Sequence, residues 1–269
     1  MNDLANTLRH DKERTYGTFM VVVGCVIWLL LLGVLVVTAV TKPAGLLPIA
    51  IELVVISLVI YFGQCLTRAY IYGHYVMVTP QQFPGLYAMV QDGAKQLGMD
   101  EAPTAFVYNS SGVMNAMAVR LVGRRFVWLT SAIIDADTEQ QIRFVIGHEL
   151  GHHAFGHLTP LKRLLKFPGH FIPFLAPAYS RGREFSCDRM GAYLANDLPA
   201  SLSALQMLAS GSARLNETMR SDLFMQQEEL VPPIAGFFLK IVSPYPRLTK
   251  RVAEVHAYFG TRKTPQSLS

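Results

Sequence analysis

The run Phe144-Val145-Ile146-Gly147-His148-Glu149-Leu150-Gly151-His152 sets two histidines and a glutamate in an otherwise apolar stretch. On a helix, residues four apart share a face, so His148 and His152 can offer two imidazole nitrogens to one metal ion. Glu149 falls about 100° round the helix from His148, within reach of a water on that ion but not placed to be a third ligand. Two nitrogens, an open position for water and a carboxylate base are the parts of a zinc hydrolase. The five-residue pattern arises by chance in many chains, so its surroundings decide. Ile142, Val145, Ile146 and Leu150 recur at helical spacing, and Asp137 or Thr138 with Gln140 or Gln141 supplies an N-cap and capping box. Pro160 stops this helix soon after His157.

Catalytic zinc usually takes three protein ligands. The third histidine of a metzincin would fall six residues past His152, after a midway glycine, but those positions hold Leu158 and Phe155. His153 and His157, continued along the same helix, point roughly 140° away from the ligand pair. They and His170 read as polar or packing residues. Glu184 and Asp188, four apart and beginning 32 residues after His152, share one face of a second helix. Glu184 can ligate zinc while Asp188 accepts the other ring N–H of a ligand histidine.

The elements that must carry these residues follow from composition. The chain has 269 residues, of which 51% are hydrophobic and only 16% charged, an apolar balance for a soluble enzyme. Residues 19–40 carry no charge and are long enough to cross a hydrocarbon core. A short break at Thr41–Gly45 leads to a second apolar run over 46–66, giving a transmembrane hairpin. Arg9, Lys12 and Arg14 precede the first span and Arg68 follows the second, against Lys42 alone in the turn. That asymmetry places both ends on the cytoplasmic side. Residues 1–18 then form a cytoplasmic N-terminal segment and 67–269 the domain that carries the zinc motif, a metallopeptidase domain on the family resemblance given below. A net charge of +5 suits apposition to an anionic lipid bilayer, and no basic patch with interleaved aromatics marks a nucleic-acid site. Cys25, Cys65 and Cys187 make no disulfide framework and read as reduced or buried thiols.

Within the domain, 83–97 is helical in pattern, and 104–108, 113–119 and 125–130 read as short strands separated by turns. A small sheet beside the metal helix gives an α+β fold, mainly helical; the zincin type of that fold is what the family resemblance below implies. The strand at 125–130 is the one expected to pair with an extended substrate by β-addition. Residues 160–183 are first basic, then apolar with three prolines, and read as a lid, a membrane-touching loop or a packed connector.

Taken together, Asn115-Ala116, His148-Glu149-Leu150-Gly151-His152, Glu184-x-x-x-Asp188 and Tyr245-Pro246-x-x-x-x-Arg251 resemble the HtpX and CAAX-prenyl-protease family of membrane-associated gluzincin metallopeptidases, over about residues 80–255. The resemblance implies one zinc per chain held by His148, His152 and Glu184, with Glu149 activating a zinc-bound water. It implies that Asp188 and Arg251 hold the site together and that Asn115 lies by the substrate groove. Tyr245 stands where the family commonly has a histidine that stabilises the oxyanion, and its phenol can donate the same hydrogen bond. The function implied is a membrane-anchored metalloendopeptidase of the bacterial inner membrane, its catalytic domain cytoplasmic. It would cut protein or peptide substrates, membrane proteins among them, in quality control. The competing reading is a catalytically inactive peptidase-fold adaptor or regulator.

Overall fold

The computed structural model describes residues 3–262. Its first element, α1 (Asp3–Leu8), is short, but Ala5 and Leu8 enter the main hydrophobic core, so the polar N-terminal segment is part of the folded body. His10 then caps α2 (Asp11–Thr41) by accepting from the Lys12 N–H, and a 3-10 turn leads into α3 (Leu46–His74). Both helices are long and apolar enough to cross a membrane, and most of their large apolar side chains are exposed. An apolar surface of that extent needs a non-aqueous surround.

The two ends nearest the domain are not free. Glu13, Gly17 and Met20 of α2 are buried. Ile71 near the end of α3 packs with Phe106, Leu121 and Phe126.

The sheet comprises β1 (Val76–Met77), β2 (Thr104–Tyr108), β3 (Ala116–Leu121) and β4 (Arg124–Thr130), in the order β1-β2-β4-β3. The β2–β4 pair is parallel and the other two pairs are antiparallel. Alternation sorts its side chains: Phe106 and Phe126 meet α3, while Ala105, Val107, Val127 and Leu129 join the main core. The three strands read from sequence are present, with β3 starting three residues late because Gly112, at φ +90°, turns the chain there. The expectation for 125–130 is overturned. β4 lies between β2 and β3 and has no free edge; the outer strands are the two-residue β1 and the longer β3.

The other helices are α4 (Pro84–Gln96), α5 (Ser131–Ala136), α6 (Glu139–Ala154), α7 (Pro160–Lys166), α8 (Leu175–Ala195), α9 (Leu198–Ser210), α10 (Ala213–Asn216), α11 (Ser221–Gln226), α12 (Pro233–Val242) and α13 (Leu248–Arg262). The class is therefore the expected one, mostly helical with one small sheet. The central crossing is that of α6 with α8, and glycine permits it. A Cβ on Gly147 would sit 2.9 Å from the Gly191 Cα, and one on Gly191 would sit 2.6 Å from the Phe144 carbonyl oxygen. Backbones this close bring side chains one turn further along into direct contact.

Candidate metal centre

α6 begins where its sequence says it should. Thr138 accepts from the Gln141 N–H, and the Gln141 side chain accepts in return from the Thr138 N–H, a complete capping box. The helix runs beneath the sheet and delivers His148, Glu149 and His152 to a cleft of about 390 Å³. α8 delivers Glu184 from the other side. Its carboxylate oxygens lie 3.4 Å from His148 Nε2 and 3.8 Å from His152 Nε2.

Those separations test whether a metal fits. Ligands bound tetrahedrally at about 2.1 Å stand roughly 3.4 Å apart, close to the 3.4 and 3.8 Å found here. Two imidazole nitrogens and one carboxylate are also a zinc donor set, so the residues fit the ion. His148, His152 and Cys187 likewise offer ligand atoms within 4.8 Å of one another. Cys187, however, lies against His157 Nδ1 at 3.8 Å, and that nitrogen is the one facing His152 Nδ1. Burial, with the surrounding carboxylates, pushes its thiol well above the ordinary range. Glu184 is the better third donor.

The electrostatics separate the two histidines. Burial works against a charge on His148, but hydrogen bonds to Asp188 and Glu184 outweigh it and raise its pKa to about 10. Burial also dominates at His152 and holds it well below its ordinary value, hence neutral. Burial opposes the charge on Glu184 as well, but the neighbouring His148 holds that carboxyl well below the usual range. Glu149 is raised to about 7, chiefly by burial, and it takes a hydrogen bond from the Ala118 backbone on β3.

Asp188 stands where the spacing put it. Its Oδ1 is 2.9 Å from His148 Nδ1, and Arg251 of α13 grips both carboxylate oxygens, Nε to Oδ2 at 2.8 Å and Nη2 to Oδ1 at 2.6 Å. All three side chains are buried. Asn115 borders the cleft at the head of β3, tied to Thr130 by hydrogen bonds in both directions. Tyr245 also borders it, exposed and at its rim.

Of the two histidines that follow the ligand pair, one departs from the helical-wheel expectation. His153 turns to the sheet, its Nε2 2.9 Å from the Phe126 carbonyl, and is a packing residue as expected. His157 is not. α6 ends at Ala154, Gly156 takes φ +73°, and the chain doubles back so that His157 Nδ1 meets His152 Nδ1 at 2.9 Å. Pro160 starts α7 rather than ending α6. Behind His157 stands Glu13 of α2, its Oε1 3.1 Å from His157 Nε2. Sequence reasoning missed both. Gly156, in the left-handed conformation two residues past the last helical turn, is the kind of signal that marks a helix end and could have exposed His157.

Residues 80–167 match Peptidase family M48. The chain is 26% identical over 169 residues to the plastoglobule-localized metallopeptidase 48 of Arabidopsis thaliana, a chloroplastic protein, covering 58% of this chain and 48% of that one. It thus spans about half the length of that curated relative. Superposition on the crystal structure of Ste24p from S. mikatae gives a TM-score of 0.49 at 16% identity, over 75% of this chain and 56% of that one. The family match over residues 80–167 and the plant relative support the resemblance drawn from the motifs, and that family implies a metal, typically zinc. The family match ends before Glu184, so it does not reach the α8 and α13 residues.

Proposed function

We propose that this chain is a membrane-anchored zinc metalloendopeptidase. The observation that carries the reading is the Glu184 carboxylate set between the Nε2 atoms of His148 and His152, with Glu149 in the same cleft. His148, His152 and Glu184 would hold the ion. Zinc so held acts as a Lewis acid that polarises a carbonyl and makes water a nucleophile near neutral pH.

The remaining steps belong to the chain. Glu149 takes a proton from the attacking water and returns it to the leaving amine nitrogen as the peptide C–N bond breaks. Asp188 fixes the His148 ring by accepting its Nδ1–H, and Arg251 fixes Asp188. The open edge of β3 runs along the cleft through Ala116 and Ala118 and suits an extended peptide bound by backbone hydrogen bonds. Such binding tolerates many sequences. Asn115, at the head of that strand, contacts the bound segment, and Tyr245 at the rim donates to the developing oxyanion.

The bilayer is the second partner in this reading. α2 and α3 span it as a hairpin over 19–40 and 46–66. The segment 160–174 runs beside the first span: a Cβ on Gly24 would lie 1.8 Å from the Leu165 carbonyl, and the Trp28 indole donates to the Leu164 carbonyl at 3.0 Å. Its exposed Leu161, Leu164, Phe167 and Phe171 therefore sit at membrane depth, in the interface. The basic flanks of the hairpin put the 67–269 domain on the cytoplasmic face, where surplus or damaged membrane proteins are substrates within reach.

The test compares wild type with Glu149→Gln in detergent, scoring bound zinc and cleavage of an unfolded protein together. The expected result is one zinc in each, with cleavage in the variant reduced by about 10²–10⁴-fold. Zinc in both and cleavage in neither would point to an adaptor. Equal cleavage would remove Glu149 as the base.

A further inference from the structure

Outside the cleft, a cluster of buried ionisable groups surrounds Glu13. This carboxylate is fully enclosed although it sits six residues before the first uncharged run. An anion is not buried without partners, and Glu13 Oε1 meets the Arg9 guanidinium one turn earlier and His157 Nε2 at 3.1 Å, with Ser186 also beside the carboxylate. Arg9 is itself held against the Phe155 ring, 5.0 Å from its centroid, and donates to the Phe155 carbonyl.

The approach is built into both helices. A Cβ on Gly182 of α8 would lie 2.6 Å from the Glu13 nitrogen, so only glycine lets α2 come so near the helix that bears Glu184. The His10 N–H donates to Ser186 Oγ at 2.9 Å on the same face.

Proton bookkeeping gives the cluster a direction. A neutral imidazole carries one N–H. The Glu13 carboxylate can only accept from His157 Nε2, which therefore bears the hydrogen, leaving His157 Nδ1 bare. That bare nitrogen, 2.9 Å from His152 Nδ1, must accept, so His152 carries its hydrogen on Nδ1. His152 Nε2, the atom facing Glu184, is then the free lone pair. The reverse arrangement would protonate Nε2 and remove it as a ligand. Cys187 Sγ, 3.8 Å from His157 Nδ1, is compatible with this tautomer because a thiol can donate weakly to that nitrogen.

We propose that Glu13 and His157 are positioning residues for His152, a relay through which the root of the first membrane helix sets the tautomer and orientation of one metal ligand. The inference rests on the metallopeptidase reading above and extends it to a segment that precedes the membrane. Partners of this kind behind a ligand are worth about 10–100-fold in metal affinity.

The experiment measures zinc affinity by chelator competition on the full chain in detergent. Glu13→Leu and His157→Phe are each expected to weaken zinc binding about 10–100-fold, and the double variant no more than His157→Phe alone. Glu13→Gln, which keeps the shape and an accepting oxygen, is expected to restore most of the loss. Met20→Ala is the packing control: Met20 is fully buried on α2 yet touches Gly169, not the relay. It should lower the melting temperature and leave zinc affinity alone. Unchanged affinity in Glu13→Leu and His157→Phe would overturn the relay, as would equal weakening by Met20→Ala. Wild type that binds zinc but cleaves nothing would instead sink the peptidase reading while the affinity comparison still decides this one. Wild type that binds no zinc would end both.

Discussion

His148 and His152 stand one turn apart on α6 and both present Nε2 to Glu184, yet they are supported by different parts of the molecule. Behind His148 is a carboxylate, Asp188, four residues from Glu184 on α8 and gripped through both oxygens by Arg251. Behind His152 is a neutral ring, His157, with its carboxylate one step further back on α2, the first of the two long apolar helices. Direct contact with carboxylates outweighs burial and raises His148, whereas burial prevails at His152. One histidine is thus anchored by charge inside the domain. The other is anchored by geometry, and that geometry depends on how α2 docks.

Asp188→Ala should give the largest effect that separates the two. It strands the buried Arg251 charge, and breaking a buried pair in this way costs about 3–5 kcal/mol. It also leaves the His148 ring without its acceptor. The melting temperature and zinc affinity should fall together, and the His157–Glu13 arm should not rescue them. A variant that melted normally would mean that Arg251 and Asp188 do not hold the site.

Gly182→Ala attacks the other arm through packing alone. Its new Cβ would meet the Glu13 backbone at 2.6 and 2.7 Å, so α2 must shift. Overpacking of this kind costs about 1–3 kcal/mol. Zinc affinity should weaken while the Asp188–Arg251 pair stays intact. Arginine hydrogen-exchange or the NMR signals of Arg251 would show whether that pair is undisturbed, and a loss there would erase the distinction between the two arms.

The contrast also explains what could be read from sequence. His148, His152, Glu184 and Asp188 were visible because each pair lies four apart on one helix, where spacing alone dictates a shared face. The capping box and the three main strands were visible for the same local reason. His157 was placed wrongly because the helical wheel was carried past Ala154, where Gly156 ends it. Glu13 had no local signature: its partner lies 144 residues away. Leu4, Ala5 and Leu8 do have helical spacing, and they were the available sign that the polar N-terminal segment belongs to the core. The order of strands, which makes β3 and not β4 an outer strand, is absent from any alternation pattern, since both strands alternate alike whichever neighbours they find.

Asp137 offers the smallest effect and a control on both arms, because it touches neither. It precedes the Thr138 cap of α6, its Oδ1 is buried without a hydrogen-bond partner, and burial raises its pKa from the ordinary 3.8 to about 7. Below pH 3.8 the folded and unfolded chains both hold this proton. Between there and about 7 only the folded chain keeps it, so this group's contribution to stability falls as pH rises through the window. Above it the full penalty applies. Discounted for partial exposure, that penalty is about 1 kcal/mol. Asp137→Asn removes it, and the variant should melt higher than wild type at pH 8 and level with it at pH 4. Zinc affinity should not change, since neither Asp188 nor His157 is disturbed. If Asp137→Asn altered zinc binding as much as Gly182→Ala does, the site would be responding to the setting of α6 as a whole, and the separate anchoring of its two histidines would be lost.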